Sequence, residues 1–344
     1  MNFFKKLKKP YLIAEIGVNH ECSIFKAKKM ISLAKLGGAD AVKFQTYKAS
    51  LLTSKNSPAY WDKKKERINN QFELFSKYDK FEKNDYKILQ RFCKKKKIDF
   101  LSTPFDDQAV NNLKQIVPFF KVASADINNF PLLRSIGKTK KPVLISSGAS
   151  TVSEIRQAIK ILKNFGSRSF AIMHCILNYP TKDSDANLNM IKDLKKKFPN
   201  TVIGYSDHTF PDKNMSSLVL ACILGAEILE KHFTFNKSLK GNDHYHSMDY
   251  KDIKIFKKNY QSLKKKLGLN KKKPIKSEIK SIKFARRSIH SKIDILKGEQ
   301  ITEYNIITKR PGGGINPINW NFILGKKIKK SIKADVQIKL KDLF

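Results

Sequence analysis

Short apolar runs recur along the chain, and most stop at residues whose side chains can do chemistry. The run at 11–16 carries Glu15 and leads to Asn19 and His20, and that at 41–45 contains Lys43 and Gln45. Residues 98–102 end at Thr103-Pro104, and 119–122 contain Lys121 ahead of Ser124 and Asp126. The run at 143–146 leads into Ser147-Gly148, and that at 170–173 into His174-Cys175. The last two, 202–205 and 227–229, precede Ser206-Asp207-His208 and Glu230-Lys231-His232. Stretches with helical spacing of apolar residues separate most of these runs. Strand, polar end and helix, repeated eight times, predict an α/β fold of the (β/α)8 (TIM) barrel type, whose active site forms at the carboxyl ends of its strands.

Helix ends support this reading. Ser23 is placed to cap a helix over 24–36 that Gly37-Gly38 closes, and Thr151 with Glu154 forms a capping box before 155–162. Asp249 opens a helix over about 251–267, with Gly268 behind it. The segment 46–79 is too long for a simple connector and is expected to cover the active site or to contact a partner subunit.

A barrel of ~250 residues accounts for residues 1–268 of the 344. Residues 269–280, charged and broken by Pro274, read as a linker. Residues 281–344 hold short Ile-rich stretches with turns at Gly298 and Pro311-Gly312-Gly313-Gly314, which predict a small β-rich domain. Arg310, beside the glycines, is a candidate anion binder. The net charge of +39 comes mainly from lysines spread along helix faces, and no nucleic-acid-reading motif accompanies them. The charge therefore reads as a basic field that concentrates anionic substrates, and nucleic acid is excluded as a partner. Four cysteines without a CxxC pair suit a reducing compartment. Residues 1–10 lack the apolar core of a signal peptide, and no run approaches the ~18 apolar residues of a membrane helix. A cytoplasmic protein without a membrane partner is expected.

The motifs resemble the sialic acid synthase family, N-acetylneuraminate synthase and related nonulosonate synthases with a C-terminal antifreeze-like (SAF) domain. They include Ala14-Glu15-Ile16-Gly17-Val18-Asn19-His20, Ala41-Val42-Lys43-Phe44-Gln45, Ser102-Thr103-Pro104-Phe105 and Phe120-Lys121-Val122-Ala123-Ser124. Ile145-Ser146-Ser147-Gly148, Gly204-Tyr205-Ser206-Asp207-His208-Thr209, Leu229-Glu230-Lys231-His232-Phe233-Thr234 and Lys309-Arg310-Pro311-Gly312 continue the series in order. The resemblance implies condensation of phosphoenolpyruvate with an N-acylated hexosamine and water, giving a nine-carbon sialic-type acid and phosphate. It implies catalytic roles for Glu15, Asp126, Lys121 and Glu230, and phosphoenolpyruvate binding by Lys43, Thr103, Lys121, Ser124 and Ser146. Gln45, Tyr179, Asp243 and Arg310 would hold the sugar. His208 and His232, at the ends of neighbouring strands, would hold Mn2+ or Mg2+. The family's small β-clip domain reaches over the partner's barrel, so a domain-swapped homodimer is implied, with Arg310 as the residue delivered.

The chain departs from the family pattern in four places. Asp126 stands where relatives mostly carry Glu, and Leu177 where many have Asn or Ser two residues before the tyrosine, with Asn178 following. Gly241-Asn242-Asp243-His244 replaces Gly-Pro-Asp-His, and Tyr245-His246-Ser247-Met248 replaces a Phe/Ser-Ala-Ser/Leu-type run. An acceptor of the N-acetylmannosamine type is implied, and these positions keep the diacetamido-trideoxyhexose of legionaminate- or pseudaminate-type synthases as the alternative. Other phosphoenolpyruvate-dependent 3-deoxy-sugar-acid synthases share the chemistry, but the Arg310 tail and Glu230-Lys231-His232 favour the sialic type.

Overall fold

The computed structural model of the chain describes residues 2–8, 10–241 and 243–344. Met1 and Lys9 of the basic start, and Asn242 of the Gly241–His244 motif, lie outside the described residues. The chain divides into two compact units, Met1–Lys266 and Leu267–Phe344.

In the first unit eight parallel strands form one sheet: β1 (Tyr11–Gly17), β2 (Ala41–Thr46), β3 (Asp99–Pro104), β4 (Phe120–Val122), β5 (Val143–Ser146), β6 (Phe170–Cys175), β7 (Val202–Asp207) and β8 (Ile228–His232). They pair in the order β3-β2-β1-β8-β7-β6-β5-β4, and β3 lies beside β4, so the sheet curls into the expected barrel. Glu230, Lys231 and His232 lie within β8, where the sequence placed them beyond the strand. The ladder with β1 runs on through the pairs Ile13↔Glu230 and Glu15↔His232, because backbone pairing continues whether or not the side chains are apolar.

Alternation along each strand decides what faces the axis. Leu12, Ala14 and Ile16 pack outward in the larger apolar cluster with the helices. Tyr11 and Ile13 instead join Ala41, Leu101, Phe119, Leu144, Ala171, Met173, Val202 and Ile228 in a second cluster inside the barrel. One or two inward positions further along, the same strands present Glu15, Lys43, Thr103, Lys121, Ser146, Cys175, Ser206 and Glu230 to a cavity. Each barrel strand is thus greasy inside at its start and polar inside at its end.

The caps fall where the sequence put them. Ser23 accepts from the Lys26 amide ahead of the helix Ile24–Gly37, and Gly38, at φ 99°, supplies its left-handed end. Thr151 and Glu154 exchange the two bonds of a capping box before Val152–Asn164. The segment after β2 folds into the helices Ala49–Leu52 and Gln71–Tyr78. Its two ends are tied together by Lys48 Nζ, which donates to Asp79 O at 2.9 Å and pairs with Glu82 at 2.6 Å.

The basic start has a role that its charge conceals. Phe3–Lys6 forms a 3-10 turn capped by Asn2, whose side-chain amide donates to Phe170 O at 2.8 Å. Phe4 is fully buried and packs edge-on against Phe119, ring centroids 5.1 Å apart. It joins the cluster that fills the amino-terminal end of the barrel.

In the second unit β9 (Ser288–Ser291) and β10 (Ile306–Lys309) pair antiparallel. Nine isoleucines and Leu343 form its core. A 3-10 turn Lys276–Glu278 and the helix Ile279–Phe284 span the end of the expected linker. The Glu278 carboxylate starts them by accepting from the Ile275 amide at 2.8 Å. Among the described residues no helix is long and apolar enough to cross a membrane.

Replacing Phe4 with Ala should destabilise the barrel by about 3–5 kcal/mol, the usual cost of emptying a buried aromatic site. Denaturant unfolding checks this, and a change under about 1 kcal/mol would show that the plug is dispensable.

Candidate active site

The strand ends surround a cavity of about 500 Å3. At its floor lies a chain of buried charges. Lys43 Nζ on β2 sits 2.6 Å from Glu15 Oε2 on β1 and 3.7 Å from Glu230 Oε1 on β8. Lys121 Nζ on β4 lies 3.4 Å from the same Glu230 oxygen. Lys43 also donates to Thr103 Oγ1 at 3.0 Å, and Ser206 Oγ donates to Glu230 Oε1 at 3.1 Å. A cation on a barrel strand has no bulk water to solvate it, so carboxylates on neighbouring strands must do so.

The two carboxylates are pushed apart in acidity. Burial would raise Glu230, but Lys121 and Lys43 outweigh it and hold the carboxyl at about 2. Glu15 is raised, by burial first and with the charge of Glu230 adding to it against the pull of Lys43. Burial disfavours the charge on Lys43, yet Glu15 and Glu230 more than restore it, and its pKa is raised. Lys121 goes the other way: burial lowers it, and Glu230 does not compensate fully with Lys43 nearby. It is the lysine whose positive charge the surrounding carboxylates compensate less. Split acidities in one cavity mark groups suited to different acid–base tasks.

Hydroxyls and a backbone amide border the lysines. Ser146 Oγ is buried and makes no hydrogen bond among the described residues, as expected of a donor waiting for a ligand. Ser124 Oγ accepts from the Gly148 amide at 3.0 Å. A Cβ on Gly148 would stand 2.9 Å from that oxygen and 3.0 Å from Leu177 N, so only glycine permits the approach. Asp126, in the short turn after β4, accepts from Asn129 Nδ2 at 3.1 Å, and burial raises its pKa. Leu177 lines the cavity, whereas Asn178 is exposed.

On another side are imidazoles. His232 Nδ1 lies 3.3 Å from Asp243 Oδ2. The His208 and His232 rings are 5.6 Å apart, and Tyr179 packs 4.1 Å from His208. His208 Nδ1 stands 2.7 Å from Ile176 O. A proton on that nitrogen leaves Nε2 with the lone pair, the arrangement of a metal-binding histidine. Burial lowers the His208 pKa well below the ordinary value, which keeps the ring neutral. His232, Asp243 and His246 can bring one ligand atom each within 4.8 Å of one another. Gly17, at φ 56°, holds a left-handed backbone turn that favours glycine, beside Gln45, Glu15 and Asp243.

The insertion after β2 supplies a wall that the sequence did not specify. Leu52, Tyr60, Trp61, Leu74, Phe75 and Tyr78 line the cavity beside Tyr47. The Trp61 indole N–H is satisfied by Glu66 O at 3.2 Å, so its ring is left as apolar surface. The Tyr47 hydroxyl is buried without a hydrogen bond among the described residues. Of the two expected tasks for this segment, covering the site matches this placement.

The barrel therefore brings together Glu15, Lys43, Gln45, Thr103, Lys121, Ser124, Asp126, Ser146, Tyr179, His208, Glu230, His232 and Asp243 around one cavity. Arg310 is exposed on the loop after β10, in the second unit. Sequence reasoning placed Cys175 and Ser206 at strand ends without giving them a role in the site, and it missed Tyr47 and the insertion's aromatics as lining residues. Ser206 was within reach, because it alternates with His208 on one face of its strand.

Paired lysines, carboxylates and imidazoles gather at the strand ends of a TIM barrel, the face where enzymes of this fold carry their active sites. The chain belongs to the NeuB family, whose model matches residues 30–272, and a SAF domain matches 286–343. An uncharacterized protein of Methanocaldococcus jannaschii is 41% identical over 335 residues, 97% of this chain and 94% of that protein. The N,N'-diacetyllegionaminic acid synthase of Campylobacter jejuni is 36% identical over 338 residues, covering 97% of this chain and all of that enzyme. The crystal structure of an N-acetylneuraminic acid (sialic acid) synthetase from Leptospira borgpetersenii superposes with a TM-score of 0.70 at 35% identity, over 80% of this chain and 90% of that one. As a member of this family of phosphoenolpyruvate-condensing acid synthases, the chain is a carbon–carbon bond-forming transferase.

Replacing Lys43 with Met should cost about 3–5 kcal/mol, because it strips two buried carboxylates of their shared cation. Adding Glu15→Gln should recover part of that loss. Denaturant melts of the single and double variants test the coupling, and strictly additive effects would contradict it.

Proposed function

We propose that the chain condenses phosphoenolpyruvate with the open-chain form of an N-acylated hexosamine, and adds water, to give a nonulosonate and phosphate. The observation that carries this reading is the asymmetry of the cavity. An under-compensated lysine and an unsatisfied hydroxyl lie on one side, and a nitrogen–oxygen donor set for a divalent ion on another.

In this reading Lys43, Thr103, Lys121, Ser124 and Ser146 hold the phosphate and carboxylate of phosphoenolpyruvate. Glu230 stays ionised between the two lysines, so it serves them rather than carrying a proton. Gln45, Asp243 and Tyr179 orient the sugar. His232 with His208, and the carboxylate of Asp243, suit Mn2+ or Mg2+, which when bound would supply Lewis acidity toward the sugar's aldehyde oxygen. Carbon 3 of the enol forms a bond to the aldehyde carbon, and Glu15, raised in acidity range, delivers the proton that the new hydroxyl needs. Positive charge grows at carbon 2. Asp126 takes a proton from the water that adds there, and the tetrahedral product expels phosphate by breaking its carbon–oxygen bond. Fixing two substrates and a water in one geometry is the main contribution of the barrel.

The diacetamido-trideoxyhexose acceptor is favoured over N-acetylmannosamine by the apolar wall of Leu52, Trp61, Leu74 and Phe75. A deoxy carbon and a second acyl methyl gain from burial there, and a hydroxymethyl group does not. One relative, at 36% identity, is an N,N'-diacetyllegionaminic acid synthase. Arg310, in this reading, reaches the acyl end of a sugar held by the partner's barrel, so the active unit is a domain-swapped homodimer. The four free cysteines of each chain suit a reducing cytoplasm.

Incubation with phosphoenolpyruvate, Mn2+ and a panel of N-acyl hexosamines should release phosphate and yield a nine-carbon acid by mass. Phosphate release without any sugar, or none with any of them, would defeat the reading. Lys121→Ala should raise the KM for phosphoenolpyruvate at least about tenfold and leave the sugar KM within about twofold, the loss expected for one charge-assisted contact. Inactive His232→Ala and Arg310→Ala proteins, mixed under conditions that exchange subunits, should partly complement. Mixed dimers that form and stay inactive would show that the site is not composite.

A further inference from the structure

We propose that His246 is a further protein ligand of the divalent ion, beside His232, Asp243 and the His208 of the reading above, so that this chain holds a transition metal in preference to Mg2+. The proposal rests on the metal-assisted reading above and adds a residue that the resemblance did not supply: the family commonly has alanine in the run where His246 stands.

The backbone brings His246 to the ion's place and keeps it there. Beyond β8 the chain loops out and returns beside it, with Met248 N donating to His232 O at 2.8 Å and Thr234 N donating to Met248 O at 2.9 Å. Asn19 Nδ2 donates both to Phe233 O at 3.0 Å and to Ser247 Oγ at 3.2 Å, clamping the returning segment to the strand. His244 is fixed in the same way, 2.8 Å from Thr234 Oγ1 and 3.4 Å from Glu21 Oε1. Between these anchors His246 is fully buried, its ring 5.1 Å from that of His232. His232, Asp243 and His246 each offer a ligand atom, all within 4.8 Å of one another.

Three imidazoles and one carboxylate, with positions left open, form a donor set for divalent first-row metals such as Mn2+, Fe2+ or Co2+. Mg2+ prefers oxygen donors and keeps most of its waters, so the additional nitrogen of His246 disfavours it. The open positions are where oxygens of the acceptor sugar would enter.

The test uses the full chain stripped by chelation, with metal binding read directly. Mn2+ is titrated by loss of the free-ion EPR signal, and Co2+ by its visible absorption. The wild type should bind both, and a hundredfold excess of Mg2+ over Mn2+ should displace less than half of the Mn2+. His246→Ala and the volume-keeping His246→Gln should each weaken Mn2+ binding at least about tenfold, with thermal melts in the absence of metal unchanged, while Tyr245→Phe leaves affinity within twofold. Should the histidine variants prove unstable, the Co2+ spectrum of the wild type decides, since intensified nitrogen-ligand bands are required and an aquo-like spectrum contradicts the proposal. Mn2+ affinity within twofold of wild type in a folded His246 variant, or ready displacement by Mg2+, overturns it. Phosphate release is followed separately. Metal bound through His246 without turnover on any acceptor sinks the proposed reaction alone, and turnover with unchanged affinity in the variants sinks the His246 assignment alone.

Discussion

The buried ion chain Glu15–Lys43–Glu230–Lys121 is the constraint on which the rest of the site depends. Four charges taken out of water across β1, β2, β8 and β4 are tolerable only because each lysine has a carboxylate within 4 Å. Removing one partner leaves a charge with nothing to solvate it, which is far worse than removing the pair. The chain therefore locks four strands in register at the mouth of the barrel. It also fixes the electrostatics, with the Glu230 pKa lowered by the two lysines, that of Glu15 raised by burial and Lys121 short of compensation.

A second buried pair stands behind this wall. Lys231 and Asp207, each 1% exposed, meet at 2.9 Å on the outward side of β8 and β7. Asp207 Oδ1 also accepts from Tyr205 and Thr209, and Lys231 donates to Thr209 O. Because side chains alternate, this pair lies one residue from His208 and His232. Inward chemistry and outward anchoring are two faces of the same strand ends.

Much of this was legible in the sequence because a parallel barrel strand is buried on both sides, so a lysine or glutamate inside an apolar run has to be explained. Lys43, Lys121 and Glu15 announced themselves in that way, and the order of the runs gave the fold. What stayed hidden depends on contacts between segments far apart in the chain. Phe4 looks like part of a basic tail, but it plugs the barrel against Phe119. Trp61 and Phe75 have no periodicity that points them at the cavity; the Lys48–Asp79 and Lys48–Glu82 ties place them there. The grouping of His246 with His232 follows from a loop that folds back along β8, which no local pattern encodes.

The central claim is that the cavity joins two substrates by breaking the carbon–oxygen bond of phosphoenolpyruvate. It is tested most directly by the fate of that bridging oxygen. With phosphoenolpyruvate labelled by oxygen-18 at the bridge, the account predicts that the label leaves in the inorganic phosphate, and that the carbon 2 oxygen of the new acid comes from water. Label retained in the acid, with unlabelled phosphate released, would contradict it.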